Sequence, residues 1–209
     1  EIRNCDWSSD VCSSDLVIVP LGAGGAMDSL ARIITAKLQE RIGKPFVVEN
    51  ITGGGTLIAA QTLAKAAPDG HTLLIAPSGM LTTNVALFKQ LPYDPVKDFL
   101  PVAHYVEIAF VLVVNANLPI KSVADLVKLA KEKPGALTYS STGIGQVPHL
   151  AGEIFSRNAG IELSHVPYRG APDALRDVVA GHVSMTFADP SVAAQLIKEG
   201  QLQIGRAHV

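Results

Sequence analysis

The chain has 209 residues, of which 48% are hydrophobic and 17% charged, with a formal net charge of −2. That balance suits one large or two small globular domains and offers no charge excess for holding nucleic acid or an anionic membrane surface. No apolar run reaches the length of a membrane span, and the first residues lack the basic start and apolar core of a secretion signal.

Both ends read as foreign. Residues 6–16 (DWSSDVCSSDL) and 204–209 (IGRAHV) resemble translated sequencing-library adapter. The codons ATC GGA AGA GCA CAC GTC encode 204–209, and their reverse complement encodes the sequence of residues 10–15. One oligonucleotide read in opposite senses therefore accounts for both. We expect residues 1–16 and 204–209 to be artefact without packed apolar contacts, and 17–203 to be natural sequence truncated at both ends. Removing Arg3 and Arg206 from the 17 basic residues, and Glu1, Asp6, Asp10 and Asp15 from the 19 acidic ones, leaves that segment neutral. Cys5, Cys12 and Trp7 fall in the suspect leader, so they report on neither disulfides nor redox compartment.

Residues 17–42 read as strand, glycine turn and helix. A β-branched run breaks at Pro20, passes Gly22, Gly24 and Gly25, and enters a helix in which Met27, Leu30, Ala31, Ile34, Leu38 and Ile42 form one stripe expected to be buried. Asp28 falls in its first turn. Glycines at such a junction let a ligand approach the backbone, and the unpaired N–H groups of the first helical turn suit an anion. A tight turn without a ligand is the plain alternative, so recurrence of the motif decides its weight.

Gly43-Lys44-Pro45 stops the helix, and 46–50 is a short strand. A second glycine turn, Gly53-Gly54-Gly55, leads into a helix over 57–66, and 72–76 is a strand ending at Pro77-Ser78-Gly79. This βαβαβ alternation implies parallel strands, with the turns around Gly24, Gly54 and Ser78 along one edge. A proline-rich loop region follows, then an extended apolar run over 102–115 that reads as a strand crossing between lobes. Ser122 is a candidate N-cap for a helix over 123–132. A second half then repeats the pattern: strand 137–140, small-residue turn 141–146, helix 148–158, strand 162–167, helix 171–180, strand 183–187 and helix 191–200.

Gly22-Ala23-Gly24 with Glu49 after the next strand approaches a dinucleotide fingerprint, but Met27 occupies the third glycine position. Ser78 and Ser140 lack the flanking glycines of a nucleophile elbow. The histidines at 71, 104, 149, 165 and 182 show no metal-ligand spacing, so no metal or cofactor is expected. Repeated small-residue turns without a nucleophile, base and orienter favour binding over chemistry. The rival reading is an α/β enzyme that takes a nucleotide or phosphorylated substrate at Gly22 to Gly25.

A longer series of spaced matches, including Gly24-Gly25 with Asp28, Val47-Val48-Glu49-Asn50, Ala66-Ala67-Pro68-Asp69-Gly70, Leu91-Pro92-Tyr93-Asp94-Pro95, Asp98-Phe99-x-Pro101, Tyr139-Ser140-Ser141-x-Gly143-x-Gly145, His149-Leu150-Ala151-Gly152-Glu153 and His165-Val166-Pro167-Tyr168-x-Gly170, resembles the Bug-type receptors. These are extracytoplasmic (periplasmic) solute-binding proteins of tripartite tricarboxylate transporters. The resemblance covers essentially all of 17–203. It implies an α/β, two-lobed periplasmic-binding-protein fold of type II-like kind, with lobe I over 17–101 and lobe II over 102–203. In the family a strand after the last helix returns to the first lobe, and here that strand is expected to be missing. The resemblance further implies a receptor without catalytic activity, monomeric when full length, that closes on a small carboxylate (a di- or tricarboxylate, amino acid or aromatic acid) and delivers it to membrane permease subunits. Its expected ligand contacts are Leu21, Gly24, Gly25, Ala26, Asp28, Ser78, Ser140, Thr142, Gly143, Gly145, Gln146, His149 and Asp189. Leu21 departs from the aromatic usual at that position, and Gln146 from a small hydroxyl residue.

Overall fold

The computed structural model describes residues 14–204. A three-stranded parallel sheet in the order β2-β1-β3 is built from β1 (Asp15–Val19), β2 (Phe46–Asn50) and β3 (Thr72–Leu74). Parallel neighbours require crossovers. They are supplied by α1 (Ala26–Ile42) and by a 3-10 turn (Gly54–Thr56) that runs into α2 (Leu57–Ala64). Two short helices, α3 (Ser78–Leu81) and α4 (Thr83–Leu87), follow β3. Because the strands share one direction, the turns after all three lie at one edge of the sheet.

The second sheet has five strands in the order β6-β5-β7-β4-β8. They are β4 (Val111–Asn115), β5 (Thr138–Ser141), β6 (Ser164–Pro167), β7 (Met185–Ala188) and β8 (Leu202–Ile204). Strands β5, β6 and β7 are parallel, and β4 runs antiparallel to β7 and β8. Between them lie α5 (Val123–Glu132), α6 (Val147–Ala159), α7 (Ala171–Val179) and α8 (Pro190–Lys198). Successive strand residues point to opposite faces. Val114 accordingly joins a core with Leu126 and Ala130 of α5, Tyr139 and Met185, while Val113 joins another with Leu175 and Val178 of α7 and Ala193 of α8. A strand buried on both faces reads as an unbroken apolar run, which is why 111–114 is Val-Leu-Val-Val. Ser122 caps α5 as its position predicts: its Oγ accepts from the Asp125 N–H and donates to Asp125 Oδ2.

Two expectations are corrected, and the ends of both sheets extend beyond the expected elements. The run 102–115 forms a strand only from Val111. Val102 is 82% exposed, and among the described residues no strand lies beside 102–110 to pair its backbone groups. Beyond the last expected helix, Leu202, Gln203 and Ile204 form a further strand that pairs with Asn115, Val114 and Val113. Asp15 and Leu16 belong to β1: they pair with Phe46 and Val47, and Asp15 Oδ1 lies 2.6 Å from His71 Nδ1. Ladder bonds are made by backbone groups, so residues of either origin extend a strand that reaches them. Residues 1–13 and 205–209 of the two suspect ends lie outside the described residues. Finally, α1 turns Asp28, Ala31 and Thr35 to the sheet, while Ile33, Ile34 and Ile42 are exposed and Met27, Leu30 and Leu38 are half-buried. Spacing identified the helix, but a small-residue face packs closer to the strands than the bulkier stripe.

Candidate ligand-binding site

The carboxyl ends of the parallel strands of both sheets face one cleft, the position at which α/β sheets hold ligands. From the first sheet come Leu21, Gly22 and the start of α1 at Gly25, Ala26 and Met27. From the second come Thr142 after β5, Pro148 of α6, Ala171 of α7, and Ala188 and Asp189 at the end of β7. Ile108 and Phe110, from the segment joining the lobes, and Leu175 and Phe187 supply apolar walls, with Thr186 as a further polar group. Four helices begin at this cleft, and no side chain caps α1, α6 or α7. First-turn N–H groups and the positive ends of the helix dipoles are turned toward it, no Lys or Arg lines it, and Asp189 is its one lining carboxylate.

The lobes touch through backbone at two seams. At the first, the Gly22 N–H donates to Arg169 O at 3.1 Å. A Cβ on Gly170 would lie 3.2 Å from Gly22 Cα, tighter than most such contacts, so a side chain there would push the two backbones apart by a few tenths of an ångström. At the second, the turn after β5 meets the turn after β3. A Cβ on Gly79 would lie 2.7 Å from Gly145 O.

Of the residues expected from sequence, Leu21, Gly25, Ala26, Thr142 and Asp189 line the cleft. The others sit around it. Gly24 does not offer its N–H outward, because it donates to Asp28 Oδ2 at 3.0 Å. Asp28 is 4% exposed. Burial pushes its carboxyl up, but hydrogen bonds from Arg32, the Gly24 N–H and Asn50, with the charge of Arg32, hold it below the ordinary carboxylate range. The Gly143 N–H is likewise turned inward, donating to Ser141 Oγ at 3.1 Å. Gly145 and Gln146 are buried at the second seam, and the Gly145 N–H donates to His149 Nδ1 at 3.2 Å. Ser140 is buried within β5, where its carbonyl accepts from Thr186 Oγ1. Ser78 is exposed at the start of α3 and does not reach the cleft lining.

Sequence reasoning missed Gly22 as a lining residue, the wall residues Ile108, Phe110, Leu175 and Phe187, and Ala171 on α7. The Gly170-Ala171-Pro172 turn was the one readable signal among these, since small residues before a helix repeat the pattern of the other turns. It also missed a Ser–His pair: Ser141 Oγ lies 2.6 Å from His165 Nε2, and the His165 ring packs at a tilt of 46° against His149, 4.4 Å between ring centres. That spacing resembles an activated nucleophile. Ser141, however, is 1% exposed, is bonded to Gly143 on both its donor and acceptor sides, and is absent from the cleft lining. The pair pins the turn. Burial and the charge of nearby His149 lower the His165 pKa despite Glu153, which favours the neutral ring. Among the described residues, no group of three His, Cys, Asp or Glu is placed to hold a metal, and no helix is long and apolar enough to cross a membrane.

The sequence profile of the tripartite tricarboxylate transporter family receptors, TctC, matches residues 30–207. The chain belongs to this family. A protein of Pseudomonas sp. strain P51 from the tcbD-tcbE intergenic region is 42% identical over 168 residues, which is 80% of this chain and 50% of that protein. Among solved structures, R. palustris Rpa4515 with adipate superposes with a TM-score of 0.88 at 35% identity, covering 94% of this chain and 66% of that one. MatC from Rhodopseudomonas palustris with bound malate gives 0.86 at 31% identity, covering 93% and 66%. The fold is thus that of two-lobed periplasmic binding proteins, and the chain spans between half and two thirds of these relatives.

Proposed function

We propose that this chain forms the ligand cleft of an extracytoplasmic receptor that captures a small aliphatic carboxylate and hands it to the membrane permease subunits of a tripartite transporter, without catalysing a reaction. One observation carries the reading: helix N-termini from both lobes converge on a cleft whose walls are apolar and which no basic side chain lines. A carboxylate seated on the Gly25 and Ala26 N–H groups would gain charge-assisted hydrogen bonds of about 1.5–3 kcal/mol each and about 0.3–1 kcal/mol from each helix end. A few such contacts, less the cost of immobilising the ligand, reach the ~8 kcal/mol of micromolar binding. Because both lobes contribute, the ligand favours the closed form, and that population shift is what a permease could read.

The two solved relatives hold adipate and malate, which supports an unbranched four- to six-carbon acid. Of the expected contacts Ser78, Gln146 and Asp189, which this reading assigns to the ligand's distal end, Asp189 reaches the cleft lining and is the selectivity element. Ser140, Gly143, Gly145, Gln146 and His149 support the seat from behind. Calorimetry of the full chain against adipate, malate, citrate and ADP tests the proposal. Micromolar binding of adipate or malate is the expected result. Binding of ADP with no response to any acid would overturn it in favour of a nucleotide site.

A further inference from the structure

The turn that aims the N-terminus of α1 at the cleft also buries a negative charge beside it. Asp28 lies in the first turn of α1 and is 4% exposed. A helix N-terminus stabilises one anion there, and a ligand carboxylate on Gly25 and Ala26 competes with Asp28 for the same positive end. Two carboxylates this close, poorly solvated, oppose each other's ionisation.

Arg32, one turn along α1, answers that charge. Its Nε donates to Asp28 Oδ2 at 3.1 Å and its Nη2 lies 3.0 Å from Oδ1. Ion pairs at this spacing are common on helices and usually add only minor helix support. This one reaches further, because Arg32 Nη2 also donates to Asn50 Oδ1 at 3.2 Å, and Asn50 Nδ2 donates to Leu21 O at 2.9 Å. Together with the Gly24 N–H on Asp28, the contacts run from the carbonyl of Leu21, across the end of β2, to the far side of the glycine turn. The guanidinium is half exposed and does not line the cleft.

Resting on the carboxylate reading above, we propose that Arg32, anchored by Asn50, is a positioning residue that makes the glycine turn able to take an anion by cancelling the charge of Asp28. It touches no ligand. It separates two demands on one helix end: Asp28 shapes the turn, and Arg32 leaves the dipole and the N–H groups of Gly25 and Ala26 to the ligand.

The test compares adipate and malate affinity in the full chain for wild type, Arg32→Met and the double variant Asp28→Asn with Arg32→Met. Arg32→Met should weaken both acids about tenfold, with a deficit that changes little with salt because the repelling carboxylates are buried. The double variant, which removes the unpaired charge but keeps an acceptor for the Gly24 N–H, should recover most of the loss. Recovery is the readout that a merely structural role would not produce. Unchanged affinity in Arg32→Met, or a double variant as weak as the single one, would overturn the proposal while leaving the carboxylate reading intact. A wild-type chain that binds neither acid would overturn that reading and this inference with it.

Discussion

The central strands of the second sheet are covered on both faces, by α5 and α6 on one side and by α7 and α8 on the other, with two buried apolar clusters between the layers. In the first sheet, the residues of β2 and β3 are half-buried or exposed, the only buried cluster among the described residues centres on Ala60, Met80 and Tyr93, and α1 leaves Ile33, Ile34 and Ile42 to solvent. Parallel sheets are ordinarily covered on both faces. The contrast shows that the lobe with the better-filled core is not the one that supplies the glycine turn. On the function proposed above, anion binding at that turn would draw on backbone geometry and local hydrogen bonds more than on a deep apolar core.

The comparison can be sharpened by mutation. Leu126, 1% exposed in the second lobe, should cost about 2–5 kcal/mol of stability as Leu126→Ala, read by denaturant titration of the full chain. A loss below about 1 kcal/mol would remove the claim that this core dominates. Gly25→Val should leave the melting temperature nearly unchanged but weaken adipate binding by about tenfold or more, because the Gly25 backbone is extended, with φ −79°, and accepts a side chain that then fills the cleft. Unaltered affinity would show that the turn holds no ligand. Asp189→Asn keeps the acceptor that caps α8 through the Ser191 N–H while deleting a charge in the cleft. Adipate should bind a few-fold tighter (about 1 kcal/mol or less), and equal affinities would place the second carboxyl elsewhere.

Acid supplies a fourth test. The Asp28 pKa is lowered in the folded chain from an ordinary value of 3.8, so its stabilising contribution is fully present above that value and is lost as pH falls through the folded pKa. Asp28→Asn should flatten the acid limb of the stability–pH curve below about pH 4, where the wild type keeps falling. An unchanged limb would mean that other carboxylates carry it. The smallest effect belongs to Ile34→Ala, 38% exposed on α1, which should cost under about 1 kcal/mol and reduce self-association at high concentration.

Much of the fold was legible because periodicity and turn chemistry are local. The alternation of strands and helices, the Ser122 cap and the small-residue turns all follow from residues within a few positions of one another. What was not legible depended on partners distant in the chain. Nothing local told that 102–110 would lack a strand beside it, or that Leu202 to Ile204 would pair with β4. At the cleft the turns at Gly25 and Thr142 were readable, but Ile108, Phe110 and Phe187 face it only because of tertiary placement. The inward N–H groups of Gly24 and Gly143 were hidden for another reason: their acceptors, Asp28 and Ser141, look on paper like residues available to a ligand.

The seam at Gly22 and Gly170 is closed by one main chain lying against another. Such a contact is made without the side chains that line the cleft beside it. On the function proposed above, exchanging Thr186 or Asp189 would change which acid is carried and leave this backbone latch alone, so that one seam would serve many cargoes.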